Sequence, residues 1–290
     1  MGDEALTGAG YKLWVLLDRL DVAFLESPEL EQNALRALFH VYLDLRSLNN
    51  FRLKIFLRTD IWRRITTVGF REASHITRHL TIEWNRSSML NLIIRRVIQN
   101  AVIMDHYRNN KEVVLISTDS QEKFFNRLFP EQVEVGSRKP STFDWMLSRT
   151  WDGSKQAAPR EIIHLLNELR NAQVRRLEIG ESDPEGGRLF SRSVFKDALS
   201  EVSKTRLEQT LYAEYPEFRK YIEKLRGENT QYAVSALVKI WNLSDDATMG
   251  VVRDLCTIGF FEQRGEKENP MFWVPILYRD ALDLVQGTAE

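Results

Sequence analysis

An uninterrupted apolar run, Leu13-Trp-Val-Leu-Leu17, ends abruptly in a carboxylate, Asp18, with a second carboxylate, Asp21, three positions on. An acid at the end of such a run has the chemistry to hold the Mg²⁺ of a bound nucleotide. A second apolar stretch, with Leu53, Ile55, Phe56 and Leu57, runs into Arg58, Thr59 and Asp60. The fork of an arginine there suits a terminal phosphate and would report its presence. Farther along, Arg160 follows Pro159 in the first turn of a helix, where the macrodipole favours acids. A cation in that place points to an outside anion, or to a neighbouring carboxylate such as Glu161.

Simple elements would position these groups. Residues 13–21 read as a strand buried on both faces, as in a parallel sheet, whose ligands bind beyond the carboxyl ends of the strands. The plainer alternative is a core strand followed by a helix whose first turn carries acids. Ser27-Pro28-Glu29 predicts a helix start that runs to about Leu48, with Leu30, Ala34, Leu38, Val41, Tyr42 and Leu45 on one face. Residues 52–60 hold the second strand, so strand, helix and strand form a right-handed parallel unit with both tips on one edge. Arg58 could equally form a structural ion pair with Asp18 or Asp60. Residues 80–84 read as a third strand and 87–104 as an amphipathic helix; residues 1–10 read as a flexible lead-in. His75 and His79 have helical metal-ligand spacing but no third ligand nearby, and a metal site there is not expected.

Composition narrows the class. A chain of 290 residues with 43% hydrophobic content can bury a sizeable core, and two domains are the natural expectation. Forty basic residues against 41 acidic ones leave a net charge of −1, without the basic footprint of a dedicated nucleic-acid binder. One cysteine, Cys256, excludes an internal disulfide and a cysteine-rich zinc site. No apolar run approaches the ~20 residues that span a bilayer and the polar N-terminus is no signal peptide, so the expectation is a cytoplasmic protein with no membrane partner.

The second half reads as helical. Thr118-Asp-Ser-Gln121 fits a capping box, helices are expected at 143–149 and from Pro159, and 180–188 is the best linker. Short helices follow at 194–199, 207–212, 218–225, 232–241 and 249–258. Two strands, 259–263 and 271–274, then flank a turn, which is the signature of a winged helix. Its helix 244–258 carries Asp245, Asp246 and Asp254 against Arg253 alone, so nucleic acid is a possible partner but not the favoured one. Trp241, Phe260, Phe261, Phe272 and Trp273 are expected to form its core.

Taken together, residues 13–21, 52–60, 80–84, Arg149-Thr150, 159–167 and the terminal wing resemble the later half of a P-loop ATPase of the STAND/KAP/AAA+-like branch, many of whose members serve in bacterial signalling or anti-phage defence. The resemblance implies an α/β, mostly helical fold: a partial P-loop sheet at 1–110, a helical lid at 111–178, a linker at 179–188 and a winged-helix domain at 189–290. It implies that Asp18 is the Walker B acid for Mg²⁺ and that Arg58 lies on the sensor strand. Arg160 would be the lid arginine contacting ATP, with Arg149 the second candidate for that task. Relatives often place an acid directly after the Walker B residue to activate water. Here that position is Arg19, which leaves Asp21 as the nearby substitute.

The phosphate cradle, G-x-x-x-x-G-K-[ST], is absent, because no glycine is followed by lysine. The expected partner is therefore a missing N-terminal ATPase half, or a second copy of the chain, with a protein effector beyond it. Hydrolysis by this chain alone is not expected. The alternatives are a winged-helix nucleic-acid-binding regulator and a catalytically silent adaptor.

Overall fold

A computed structural model describes residues 2–20, 27–67, 70, 74–155, 158–266 and 269–289. The fold is mixed α/β, mostly helical, with two small sheets. Two compact units divide at Glu83 and Trp84. The expected boundaries at 110, 178 and 188 all fall within the second.

In the first unit, α1 (Gly2–Ala9) leads into β1 (Leu13–Leu17), α2 (Pro28–Leu45), β2 (Phe51–Ile55) and α3 (Thr59–Thr67). Ser27 caps α2, accepting the N–H of Leu30, and Pro28 takes the first helical position. β1 and β2 pair in parallel with Leu13 opposite Phe51 and Leu17 opposite Ile55, which is the expected strand–helix–strand unit. Residues 2–9 are not a loose lead-in. Asp3 of α1 accepts the backbone N–H groups of Asn49 and Asn50 at 3.0 and 2.7 Å, and so ties down the turn that enters β2.

Three expectations need correction here. β1 is not buried on both faces: Val15 and Leu17 are half-buried, while Trp14 and Leu16 are 60% and 61% exposed. The cause is that β1 has one strand neighbour and its outward face lacks a covering layer among the described residues. Residues 80–84 form no strand. They run without a sheet partner, Leu80 being 87% exposed, because an alternating apolar pattern needs a neighbouring strand before it becomes a ladder. The buried stripe of α2 is also rotated from the one expected. Glu31, Leu35 and Phe39 are buried, whereas Leu30 and Val41 are exposed. Leu35 and Phe39 pack with Ile61 and Ile65 of α3, and the Phe39 ring meets Trp62 edge-on at 5.3 Å.

The second unit opens with α4 (Arg86–Val97), α5 (Ala101–His106), α6 (Lys111–Leu115), α7 (Thr118–Leu128), α8 (Thr142–Thr150) and α9 (Pro159–Glu178). The single helix expected over 87–104 is broken because Asn100 caps a new one, accepting the N–H of Ile103. The cap of α7 is Ser117, one residue earlier than expected. The stretch 180–188 is a surface loop inside this unit. Tyr107 Oη donates to Gly187 O at 2.7 Å and Leu189 N to Leu128 O at 2.8 Å.

Next come α10 (Val194–Thr205), continued by a π-helical turn (Arg206–Leu211), then α11 (Tyr212–Glu214) and α12 (Arg219–Ile222). β3 (Asn229–Ala233), α13 (Val234–Trp241), α14 (Asp245–Thr257), β4 (Glu262–Glu266), β5 (Asn269–Trp273), α15 (Ile276–Arg279) and β6 (Val285–Ala289) complete the chain. The strands lie in the order β4-β5-β3-β6, with β4 and β5 an antiparallel hairpin and β6 parallel to β3. Residues 232 and 233, expected in a helix, belong to β3, and β6 was not anticipated. Tyr232 and Phe272 face inward against Leu237, Trp241, Leu255, Phe260 and Phe261. Trp273, expected in the core, is only half-buried.

Candidate functional site

Asp18 follows β1 directly, at the strand's carboxyl end, and is exposed. One oxygen, Oδ1, accepts the N–H of Arg19 at 2.8 Å. Arg19 has a left-handed backbone, φ 56°, which costs a non-glycine residue about 1 kcal/mol or more. The chain therefore turns just past the carboxylate. Asp21 lies outside the described residues.

On the neighbouring strand, Phe56 N donates to Leu17 O at 2.8 Å, so the ladder runs up to the residue before Asp18. Arg58 follows two residues later, exposed, and its carbonyl accepts the N–H of Trp62 as α3 begins. Asp18 and Arg58 thus both lie beyond the carboxyl ends of paired parallel strands, the position from which α/β sheets bind ligands.

The other two arginines belong to the second unit. Arg149, in the last turn of α8, packs its guanidinium 4.8 Å from the Trp145 ring centroid and donates to Ser148 Oγ at 3.0 Å. Glu134 Oε1 lies 3.8 Å away, a loose pairing. Burial lowers the pKa of Arg149, partly offset by Glu134. Arg160 is exposed at the start of α9, with Nε 3.5 Å from Glu161 Oε2. Of the two explanations for a cation in that first turn, the neighbouring carboxylate is thus present, although Arg160 keeps most of its surface open.

Glu161, named in the sequence as a possible neighbour of Arg160, has a second partner that the sequence did not indicate. It is buried, and its other oxygen, Oε1, pairs with Arg206 Nη1 at 3.0 Å across the helices. Burial opposes the charge of Arg206, but Tyr278 and Glu161 outweigh it and raise its pKa. One carboxylate therefore serves an exposed arginine and a half-buried one. Only the acid's place in a first helical turn could have signalled this.

Asp18 can give Mg²⁺ one carboxylate oxygen, and such ions keep several waters and need few protein ligands. No cluster of three metal-binding side chains occurs among the described residues. The P-loop motif that cradles nucleotide phosphates, G-x-x-x-x-G-K-[ST], does not occur in this sequence. Compared with family models, curated proteins and solved structures, the chain matches none. No helix among the described residues is long and apolar enough to cross a membrane.

Proposed function

We propose that this chain is the Walker B, sensor and lid portion of a P-loop ATPase that couples ATP binding and hydrolysis to partner binding or assembly. The observation that carries this reading is the parallel pair β1–β2, joined by α2, with Asp18 and Arg58 just past its adjacent carboxyl ends. In this reading Asp18 holds Mg²⁺ and Arg58 contacts the terminal phosphate. Arg160 and Arg149 are the nucleotide-binding lid candidates, and Asp21 is the candidate base. Bound Mg²⁺·ATP would supply the scissile phosphoryl group; this chain's residues orient it and balance its charge.

A second feature supports incorporation into a larger sheet. Parallel sheets are found with both faces covered, yet Trp14 and Leu16 remain exposed on one face of β1. A polypeptide bringing the G-x-x-x-x-G-K-[ST] strand and helix would cover that face. The order helix, strand, two helices and hairpin over 219–273 supports a winged helix as the attached domain. Bacterial signalling or anti-phage defence is the setting that such an architecture suits.

Binding of a fluorescent ATP analogue tests the proposal. With a cradle-bearing half supplied, affinity should depend on Mg²⁺ and fall about tenfold or more in Asp18→Asn. Binding indifferent to both Mg²⁺ and Asp18 would refute the assignment.

A further inference from the structure

The four-stranded sheet of the second unit has an outer face that the ATPase reading leaves unused. Its register sets Glu262, Trp273, Gln231 and Thr288 in one row across all four strands, with Arg264 and Met271 in the next. Phe272 and Tyr232, on the opposite face, are buried. Trp273 is on β5, an interior strand, so an aromatic ring sits near the middle of a largely polar face that also carries Met271. The Arg264 guanidinium lies 3.9 Å from its ring centroid, and that of Arg279, reaching in from α15, lies 4.9 Å away.

Charge on this face is uneven. Glu262 is matched twice, by Arg264 Nη2 at 2.6 Å and by Lys155 Nζ at 3.0 Å. Arg279 donates only to neutral groups, Val274 O and Gln286 Oε1, each at 2.9 Å, and makes no ion pair among the described residues. Its Nη2 is buried with no hydrogen-bond partner among them. Burial, reinforced by the like charges of Arg264 and Arg149, pushes the Arg279 pKa down to about 10. A desolvated cation without an anionic partner is costly, and an anion bound beside it would offset the uncompensated charge.

We propose that this sheet face is a platform for single-stranded nucleic acid, with a base stacking on the Arg264 guanidinium that overlies Trp273 and a backbone phosphate drawn to the uncompensated charge of Arg279. Sheets that bind single strands combine an aromatic side chain, which stacks on any base, with arginines that track the backbone. The guanidinium fork matches phosphate oxygens. Duplex DNA suits the surface poorly, since its bases are stacked out of reach. α14, the helix that would enter a groove, carries Asp245, Asp246 and Asp254 beside Arg253.

Fluorescence anisotropy of a labelled oligo(dT) of about fifteen nucleotides, titrated with the full chain at low salt and without ATP, tests this. Saturable binding that weakens with salt is expected, with roughly tenfold losses in Arg279→Gln and in Arg264→Gln. Arg264 is exposed, so its variant decides the matter even if Arg279→Gln folds poorly. Absence of binding, equal binding to a duplex of the same length, or full affinity in Arg264→Gln would each overturn the proposal. Because no nucleotide is added, the result is independent of the ATPase assignment.

Discussion

Glu161 Oε1 and Arg206 Nη1 form an ion pair at 3.0 Å that joins the first turn of α9 to the π-helical turn after α10. Removing one member strands the other in a poorly solvated place. Glu161→Gln should cost about 3 kcal/mol, whereas Glu161→Leu combined with Arg206→Met should cost less than either single change. Urea unfolding followed on the second unit reads both values. A Glu161→Gln protein as stable as the parent would show that the pair contributes nothing.

Asp3 provides a pH-dependent contact in the first unit. The N–H groups of Asn49 and Asn50 hold its carboxyl below the usual carboxylate range. A lowered folded-state pKa means that the contact stabilises above the unfolded value of about 3.9 and is lost as pH falls through the lower folded value. Protection of the Asn49 and Asn50 amides, taken relative to the intrinsic exchange rate at each pH, should therefore fall in acid. In Asp3→Asn that protection should be low throughout and lose its dependence on pH.

Two glycines should respond oppositely to alanine. A Cβ on Gly153 would lie 2.2 Å from the carbonyl oxygen of Phe261, backbone against backbone, so Gly153→Ala should destabilise by about 2–4 kcal/mol. Gly250 sits within α14 with nothing within 4 Å of the same position. Gly250→Ala should stabilise by roughly 0.5–1 kcal/mol through helix propensity. Thermal melts of the two variants give the signs directly.

Burial pushes the Cys256 thiol up to about 11. At pH 8 almost none of it is thiolate, and the thiolate is the reactive form. Alkylation by iodoacetamide in the folded protein should be much slower than in urea. Equal rates would mean that the side chain is open to solvent.

The sequence reveals the local chemistry of this fold better than its long-range pairing. Ser27-Pro28 marks a helix start because capping and proline act within a few residues, and α2 begins there. The β1–α2–β2 unit is legible for the same reason, since two apolar runs flank one amphipathic helix. Residues 80–84 mislead because alternation describes a strand only where a partner exists. β3 is obscured because Asn229, Thr230 and Gln231 are consecutive polar residues without strand alternation and the segment passes straight into α13. Trp273 looks like core by residue type; its actual place on an open face depends on register, which composition does not encode. Asp18 and Arg58 stand at adjacent tips because both follow strands that pair in parallel. The Glu161–Arg206 contact links residues far apart in sequence and carries no local signal.

Steady-state phosphate release is the most direct test of the central claim. With Mg²⁺·ATP and a G-x-x-x-x-G-K-[ST]-bearing half supplied, the assembled protein should hydrolyse ATP. Asp18→Asn should lower the rate by about a hundredfold or more, and this chain alone should stay at background. Undiminished turnover in Asp18→Asn, or hydrolysis by the isolated chain, would contradict the account.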